Sequence, residues 1–251
     1  MDSSQLAGRT ALVTGAAGGI GEAIARSFAA QGAHVIVADR DGEAASSVAS
    51  AIDGEVWQVD LSDASAIAAR NLSTVDILVN NAGIQVVSPI EEFDPATFHL
   101  MLGIMVEAPF LLLRGALPGM YSRGFGRVVN ISSVHGLRAS AFKSAYVTAK
   151  HAMEGLSKVT ALEGAEHGVT SNCINPGYVA TPLVEKQIAD QARVHGIPES
   201  EVVEKVLLAH NPIKRMVATD DVASLASWLV GPHASMVTGA SYTMDGGWSA
   251  Q

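Results

Sequence analysis

A tyrosine, a lysine and a serine in this 251-residue chain are spaced for proton chemistry. Tyr146 and Lys150 stand at i and i+4, so on a helix they share one face. A free phenol, with a pKa near ~10, is a poor base at neutral pH. An ammonium beside it favours the phenolate, and lowering a pKa by one takes about 1.4 kcal/mol of such preference. Ser133, upstream and just past an apolar run, could hold a reacting oxygen with its hydroxyl. On its own, a Y-x-x-x-K spacing is an ordinary solvated helix turn. It gains meaning beside a site for a second reactant.

Such a site is written near the N-terminus. Residues 14–21, Thr-Gly-Ala-Ala-Gly-Gly-Ile-Gly, lie between a strand-like and a helix-like segment. Glycines there permit a tight turn, and the helix N-terminus beyond offers free N–H groups and a positive dipole end to a pyrophosphate. Asp39 closes the second strand, where a carboxylate can take both ribose hydroxyls of an adenosine and would repel a 2′-phosphate. Gly18 supplies no cation for such a phosphate; the adjacent Arg40 is the one contrary sign. The expected cofactor is NAD and the expected chemistry hydride transfer, for which the protein positions substrate and moves one proton. Rival chemistries find little support. The histidines include no H-E-x-x-H and no close pair with a carboxylate at zinc spacing. Cys173 stands alone, and Ser133 has no G-x-S-x-G elbow. No metal is expected.

The G-x-x-x-G-x-G spacing of residues 15–21, Asn80-Asn81-Ala82-Gly83, and Tyr146-Val147-Thr148-Ala149-Lys150 together resemble the short-chain dehydrogenase/reductase family, in order and over the whole chain. The resemblance implies Tyr146 as acid/base, Lys150 as its pKa modulator and a ribose ligand, and Ser133 as donor to the reacting oxygen. It implies cofactor contacts from Thr14, Gly15, Gly19, Ile20, Gly21 and Asp39, and from Asp60 and Leu61 at the adenine. Asn81, Ala82 and Gly83 would follow the fourth strand, and Pro176, Gly177, Val179 and Thr181 would flank the nicotinamide. One family position departs. The usual catalytic asparagine is replaced by Met105. In the family mechanism a relay water rests on that residue's main-chain carbonyl. Pro109, which lacks an N–H and crowds the carbonyl at i−4, would leave that carbonyl free. A kinked helix and a backbone-held relay from Met105 to Lys150 are therefore expected.

Two possible cations, His135 and Lys143, and two amides, Gln85 and Gln187, surround the catalytic pair and suit a small carboxylate. Residues 139–146, 181–187 and 245–248 are similar to the family members that oxidise D-3-hydroxybutyrate. That likeness implies that Gln85, His135, Lys143 and Gln187 hold the carboxylate, with Trp248 in the pocket. Tyr178 stands where tryptophan is usual, which alters the apolar wall. Two alternatives stay open: a family member acting on another alcohol, ketone or acyl thioester, and a noncatalytic nucleotide-binding protein of this fold.

Positioning these groups requires a scaffold. Strand-like runs at residues 10–13, 34–38, 55–59, 75–79, 127–131, 170–174 and 241–244 alternate with helical patterns. This predicts an α/β fold, a single-domain Rossmann-like doubly wound parallel sheet of about seven strands. Residues 100–117 are apolar on nearly every helical face, which asks for burial all round. Residues 181–212 mix helical pattern with Gly196, Pro198 and Pro212, and read as a helical substrate lid outside the sheet.

Aliphatic and aromatic types make up 48% and charged types 16%, too apolar for a disordered chain. The net charge of −9, without a Lys/Arg run, argues against nucleic-acid partners. No secretory leader pattern opens the chain, and no apolar run approaches the ~20 residues that span a bilayer, so a cytoplasmic location away from membranes is expected. The apolar helix and low charge ask for more burial than one subunit supplies. The resemblance implies that this burial comes from a homotetramer built through helices at residues 96–123 and 144–167.

Overall fold

Aliphatic runs form seven strands in the computed structural model, which describes residues 4–185 and 187–250. They are β1 (Thr10–Thr14), β2 (His34–Asp39), β3 (Glu55–Gln58), β4 (Ile77–Asn80), β5 (Gly126–Ile131), β6 (Val169–Pro176) and β7 (Ser241–Met244). All pairings are parallel, in the order β3-β2-β1-β4-β5-β6-β7. Side chains alternate across the sheet, so each central strand feeds two cores. Val13, Val37, Val79 and Val129 face one core, while Leu12, Ile36, Leu78 and Val128 face the other. The expected doubly wound sheet is observed.

Ten α-helices follow in chain order: α1 (Gly19–Ala30), α2 (Gly42–Ala51), α3 (Ala64–Ala69), α4 (Pro95–Leu102), α5 (Ala108–Arg123), α6 (Ser144–Gly164), α7 (Pro182–Glu185), α8 (Ile188–His195), α9 (Glu199–Val202) and α10 (Thr219–Val230). Ile24 and Phe28 of α1 join Val222 and Ala226 of α10 in the first core; Ile67 of α3 and Leu112 and Met120 of α5 join the second. Strand order reverses between β1 and β4, which opens a crevice at their carboxyl ends. Residues 181–212 lie outside the sheet. Their Val184, Val202 and Leu207 form a small apolar cluster with Tyr178.

The apolar segment corrects one expectation. A π-helical turn at Gly103–Glu107 joins α4 to α5, making one helical run, Pro95–Arg123, of mean hydropathy 1.7 in its most apolar window. By length and composition it could cross a bilayer, so the sequence does contain such a run. Here it lies against α3 and α6, with Met101, Met105, Leu112 and Met120 buried. Within one subunit it is not covered all round, in keeping with a helix that asks for more burial than one subunit supplies: Leu100 is 43% and Phe110 51% exposed.

Close backbone approach fixes α5 over the sheet. A Cβ on Gly119 would lie 2.0 Å from the Ser73 carbonyl oxygen, and no rotamer change relieves a backbone clash. Arg123 grips the same loop through the carbonyls of Ser73 and Val75 and through Asp76 at 2.8 Å. Gly119→Ala should therefore destabilise the fold by roughly 1–3 kcal/mol, seen as a drop of several degrees in Tm. An unchanged Tm would contradict this packing.

Candidate active site

The loop after β1 is built by glycine geometry. Gly15 and Gly19 have φ of +63° and +58°, and a Cβ on Gly21 would sit 2.2 Å from the Gly15 carbonyl oxygen. No side chain of the N-cap residue, Gly18, caps α1, and space beside Gly18 is open, so the helix N-terminus is accessible to an anion. Thr14 clasps this loop to β4: its hydroxyl donates to the Val79 carbonyl at 3.1 Å and accepts from the N–H groups of Asn81 and Ala82. Asn81 returns the clasp, donating from Nδ2 to the carbonyls of Thr14 (2.8 Å) and Gly15 (3.0 Å). The side chains of Thr14 and Asn81 thus shape the loop. Gly83 lies against the Met105 thioether, and Thr181 against Gly19.

Asp39 ends β2 and accepts backbone N–H groups from Ala17 and Asp41, both at 3.1 Å, which orients it beside the glycine loop. The Asp60 carboxylate, exposed after β3 and followed by half-buried Leu61, accepts from the Ser62 hydroxyl and N–H. Those bonds hold it below the usual carboxylate range. Open glycine backbone, an uncapped helix end and carboxylates along successive strand ends fit an extended dinucleotide.

Tyr146 and Lys150 on α6, Ser133 after β5, Ile20, Pro176 at the end of β6, and Gly177, Val179 and Thr181 after it line one cavity. Lys150 is 3% exposed and donates to the Ile131 carbonyl at 2.7 Å. Burial draws its pKa down to about 8. Burial also pushes Tyr146 up to about 12, against a smaller lowering by the Ser133 hydroxyl. The expectation that Lys150 depresses the phenol is thus not met in this arrangement: the ammonium points to Ile131, 5.5 Å from the Tyr146 ring centroid. The expected helix irregularity coincides with the π-helical turn, and Pro109 offers no N–H to the Met105 carbonyl. The acceptor for Lys150 is nevertheless Ile131, not Met105.

Gln85, His135, Lys143, Tyr178 and Gln187 line the same cavity. Lys143 is 3% exposed and donates to the Tyr178 hydroxyl oxygen at 2.9 Å; burial lowers it to about 8. Among the described residues it forms no ion pair within 4.0 Å. His135 corrects an expectation. Burial first, then the charges of Lys143 and His151, hold it well below the ordinary histidine range, so it is a neutral ring between Ser133 and Ser140 rather than a cation. Gln85 and Gln187 each give one amide N–H to a nearby carbonyl, and Gln85 Oε1 is buried without a partner. Trp248 lies behind the cavity, stacked on Tyr178 at 6.4 Å and edge-on to His135 at 5.2 Å.

Sequence reasoning missed Glu154, one turn beyond Lys150 on α6. It is 4% exposed and accepts from Asn175 Nδ2 at 2.5 Å and from the Ser241 hydroxyl at 2.6 Å. Asn175 also donates to the Ser133 carbonyl at 2.9 Å, tying the carboxylate to the loop that carries Ser133. Beside it, burial pushes the Cys173 thiol far up, so Cys173 stays neutral and Glu154 is the anion that supports the Lys150 charge. The i,i+4 spacing from Lys150 was the available signal.

A short chain dehydrogenase family model matches residues 9–192. The chain is 45% identical to the D-beta-hydroxybutyrate dehydrogenase of Rhizobium meliloti, over 97% of this chain and 99% of that protein. It is 44% identical to the protein of the same name from Cupriavidus necator, over 98% and 100% of the respective chains. Among solved structures, a protein from Agrobacterium tumefaciens provisionally assigned as a 2-deoxy-d-gluconate 3-dehydrogenase, with bound NADP, superposes with a TM-score of 0.86. It is 33% identical and both chains are fully covered.

Replacing Glu154 by Gln removes the negative charge while keeping an acceptor. An ammonium is the acid form, so losing a nearby anion lowers its pKa. Glu154→Gln should shift the Lys150 titration to lower pH, read by NMR of labelled lysines and by an earlier alkaline fall in any catalytic rate. A titration unmoved from about 8 would show that Glu154 does not support the charge.

Proposed function

The chain belongs to the short-chain dehydrogenase family, and from that premise we propose that it oxidises a small 3-hydroxy acid, D-3-hydroxybutyrate, reversibly to acetoacetate with NAD. Lys143 carries this reading. Its ammonium is buried, its acceptor is a neutral phenol, and it opens onto the cavity that holds Tyr146 and Ser133. A buried charge without a counter-charge costs several kcal/mol, and a substrate carboxylate would offset that cost. A neutral alcohol, ketone or thioester would leave it uncompensated. The names of the relatives from Rhizobium meliloti and Cupriavidus necator support the same substrate and its D configuration.

In this proposal Lys143 takes the carboxylate, with Gln85, Gln187 and neutral His135 around it, and Ser133 donates to the substrate oxygen. When bound, the nicotinamide accepts the hydride. Tyr146 takes the hydroxyl proton as the C–O bond becomes a carbonyl. For oxidation the phenol must first lose its own proton, so Lys150 must turn from Ile131 toward it. The Met105 carbonyl, to which Pro109 gives no N–H, would hold the relay water that exchanges protons with Lys150. NAD is preferred because Asp39 ends β2 and Gly18 brings no cation to a 2′-phosphate. Residues 181–212 act as the substrate lid. The exposed apolar residues Leu100 and Phe110, with Val159 and Leu162 on α6, support assembly, here a homotetramer, and the proposed location is the cytoplasm.

Three outcomes test the reading. Lys143→Ala should raise KM for D-3-hydroxybutyrate on the order of a hundredfold, and an unchanged KM would remove the carboxylate role. The ammonium is lost as pH rises through about 8, so inhibition by the substrate-like anion butyrate should weaken above that pH; Lys143→Arg should keep it strong. Asp39→Ala should weaken NAD more than NADP, because one hydrogen-bonding carboxylate and one repulsion vanish together. Equal use of NADP and NAD by the parent protein would contradict the cofactor assignment.

A further inference from the structure

The hydrogen bond between Lys143 and Tyr178 has a consequence for specificity. Lys143 Nζ can only donate, so the Tyr178 oxygen is the acceptor at 2.9 Å. Burial pushes Tyr178 far above the ordinary phenol range, so the phenol keeps its proton. That proton has no acceptor among the described residues, although Tyr178 is only 8% exposed. The ring cannot easily turn away. It is stacked on Trp248, edge-on to His135 at 6.4 Å, and its backbone carbonyl accepts from the Val217 N–H at 2.9 Å.

A buried hydroxyl that accepts from a cation and lines the reaction cavity beside it can give its proton to an acceptor inside that cavity, although both residues also border a second cavity toward His195 and His210. We infer that the Tyr178 hydroxyl is a second donor to the substrate's carboxylate, forming with Lys143 a two-point clamp that selects acids over neutral alcohols. This rests on the proposed carboxylate substrate and assigns Tyr178 a polar role where the sequence suggested only a changed apolar wall. The two donor atoms lie side by side, so each oxygen of one carboxylate can meet its own donor. Phenylalanine would retain the stack and lose only the clamp.

Binding of butyrate, followed by NMR chemical-shift titration in the NAD complex, separates this inference from the reading beneath it. Tyr178→Phe should weaken butyrate by about tenfold or more and raise KM for D-3-hydroxybutyrate similarly, with kcat and KM for NAD little changed. In the parent protein, which has only four tyrosines, the ring-carbon resonance of Tyr178 should move as butyrate is added. Equal butyrate affinity in the parent and Tyr178→Phe, or a Tyr178 resonance that stays still while butyrate binds, would overturn the clamp and leave the carboxylate reading intact. Failure of the parent protein to bind butyrate would overturn both. Loss of butyrate and NAD affinity together in Tyr178→Phe would point to a structural role and also defeat the inference.

Discussion

Two lysine ammonium groups removed from water at the start of α6 set the conditions that the rest of the site must satisfy. Each is 3% exposed, and burial draws each down to about 8. An uncompensated charge at that depth costs several kcal/mol, so the groups around each lysine reveal what it serves. Lys150 has the Ile131 carbonyl at its nitrogen and the Glu154 carboxylate one turn along the same helix, itself anchored by Asn175 and Ser241. Among the described residues Lys143 has only a phenol oxygen. The first charge is supported from within the protein, and the second faces a cavity.

The parallel sheet makes this arrangement possible. Its strands end together on one side, and order reverses between β1 and β4. The glycine loop, the candidate catalytic groups after β5 and on α6, and the loop after β6 therefore meet at one edge. Thr14 and Asn81 clasp the glycine loop to the neighbouring strand, so the cofactor cradle and reaction cavity share a rigid wall. The helices outside 181–212 hold the sheet, while that segment adds Val184 and Gln187 to the lining of the cavity.

Much of this was legible in local sequence because it depends on local rules. Short aliphatic runs buried on both faces, with side chains alternating between two helical layers, mark segments such as Thr10–Thr14 as strands, and the positive φ of Gly15 and Gly19 is a local property of glycine. The i,i+4 spacing of Tyr146 and Lys150 is likewise a property of one helix. What escaped depends on tertiary contact. Glu154 acquires its role from donors on β6 and β7, His135 loses its charge to burial beside Lys143, and burial outweighs the neighbouring ammonium at Tyr146. Pro109 marked an irregular helix, but the Ile131 carbonyl that receives Lys150 lies on another element. Tyr178 was visible as a residue, yet its partner appears only when β6 reaches the start of α6.

Proton uptake on binding tests the role of Lys143 most directly. Above pH 8 much of the free lysine is neutral, and a carboxylate seated on it restores the ammonium, so binding must draw a proton from the buffer. Isothermal titration of acetoacetate into the protein–NAD complex near pH 9, repeated in buffers of different ionisation enthalpy, reads that proton. Uptake approaching about one proton per site, lost in Lys143→Arg, is the predicted result. Tight binding without any proton uptake would contradict it.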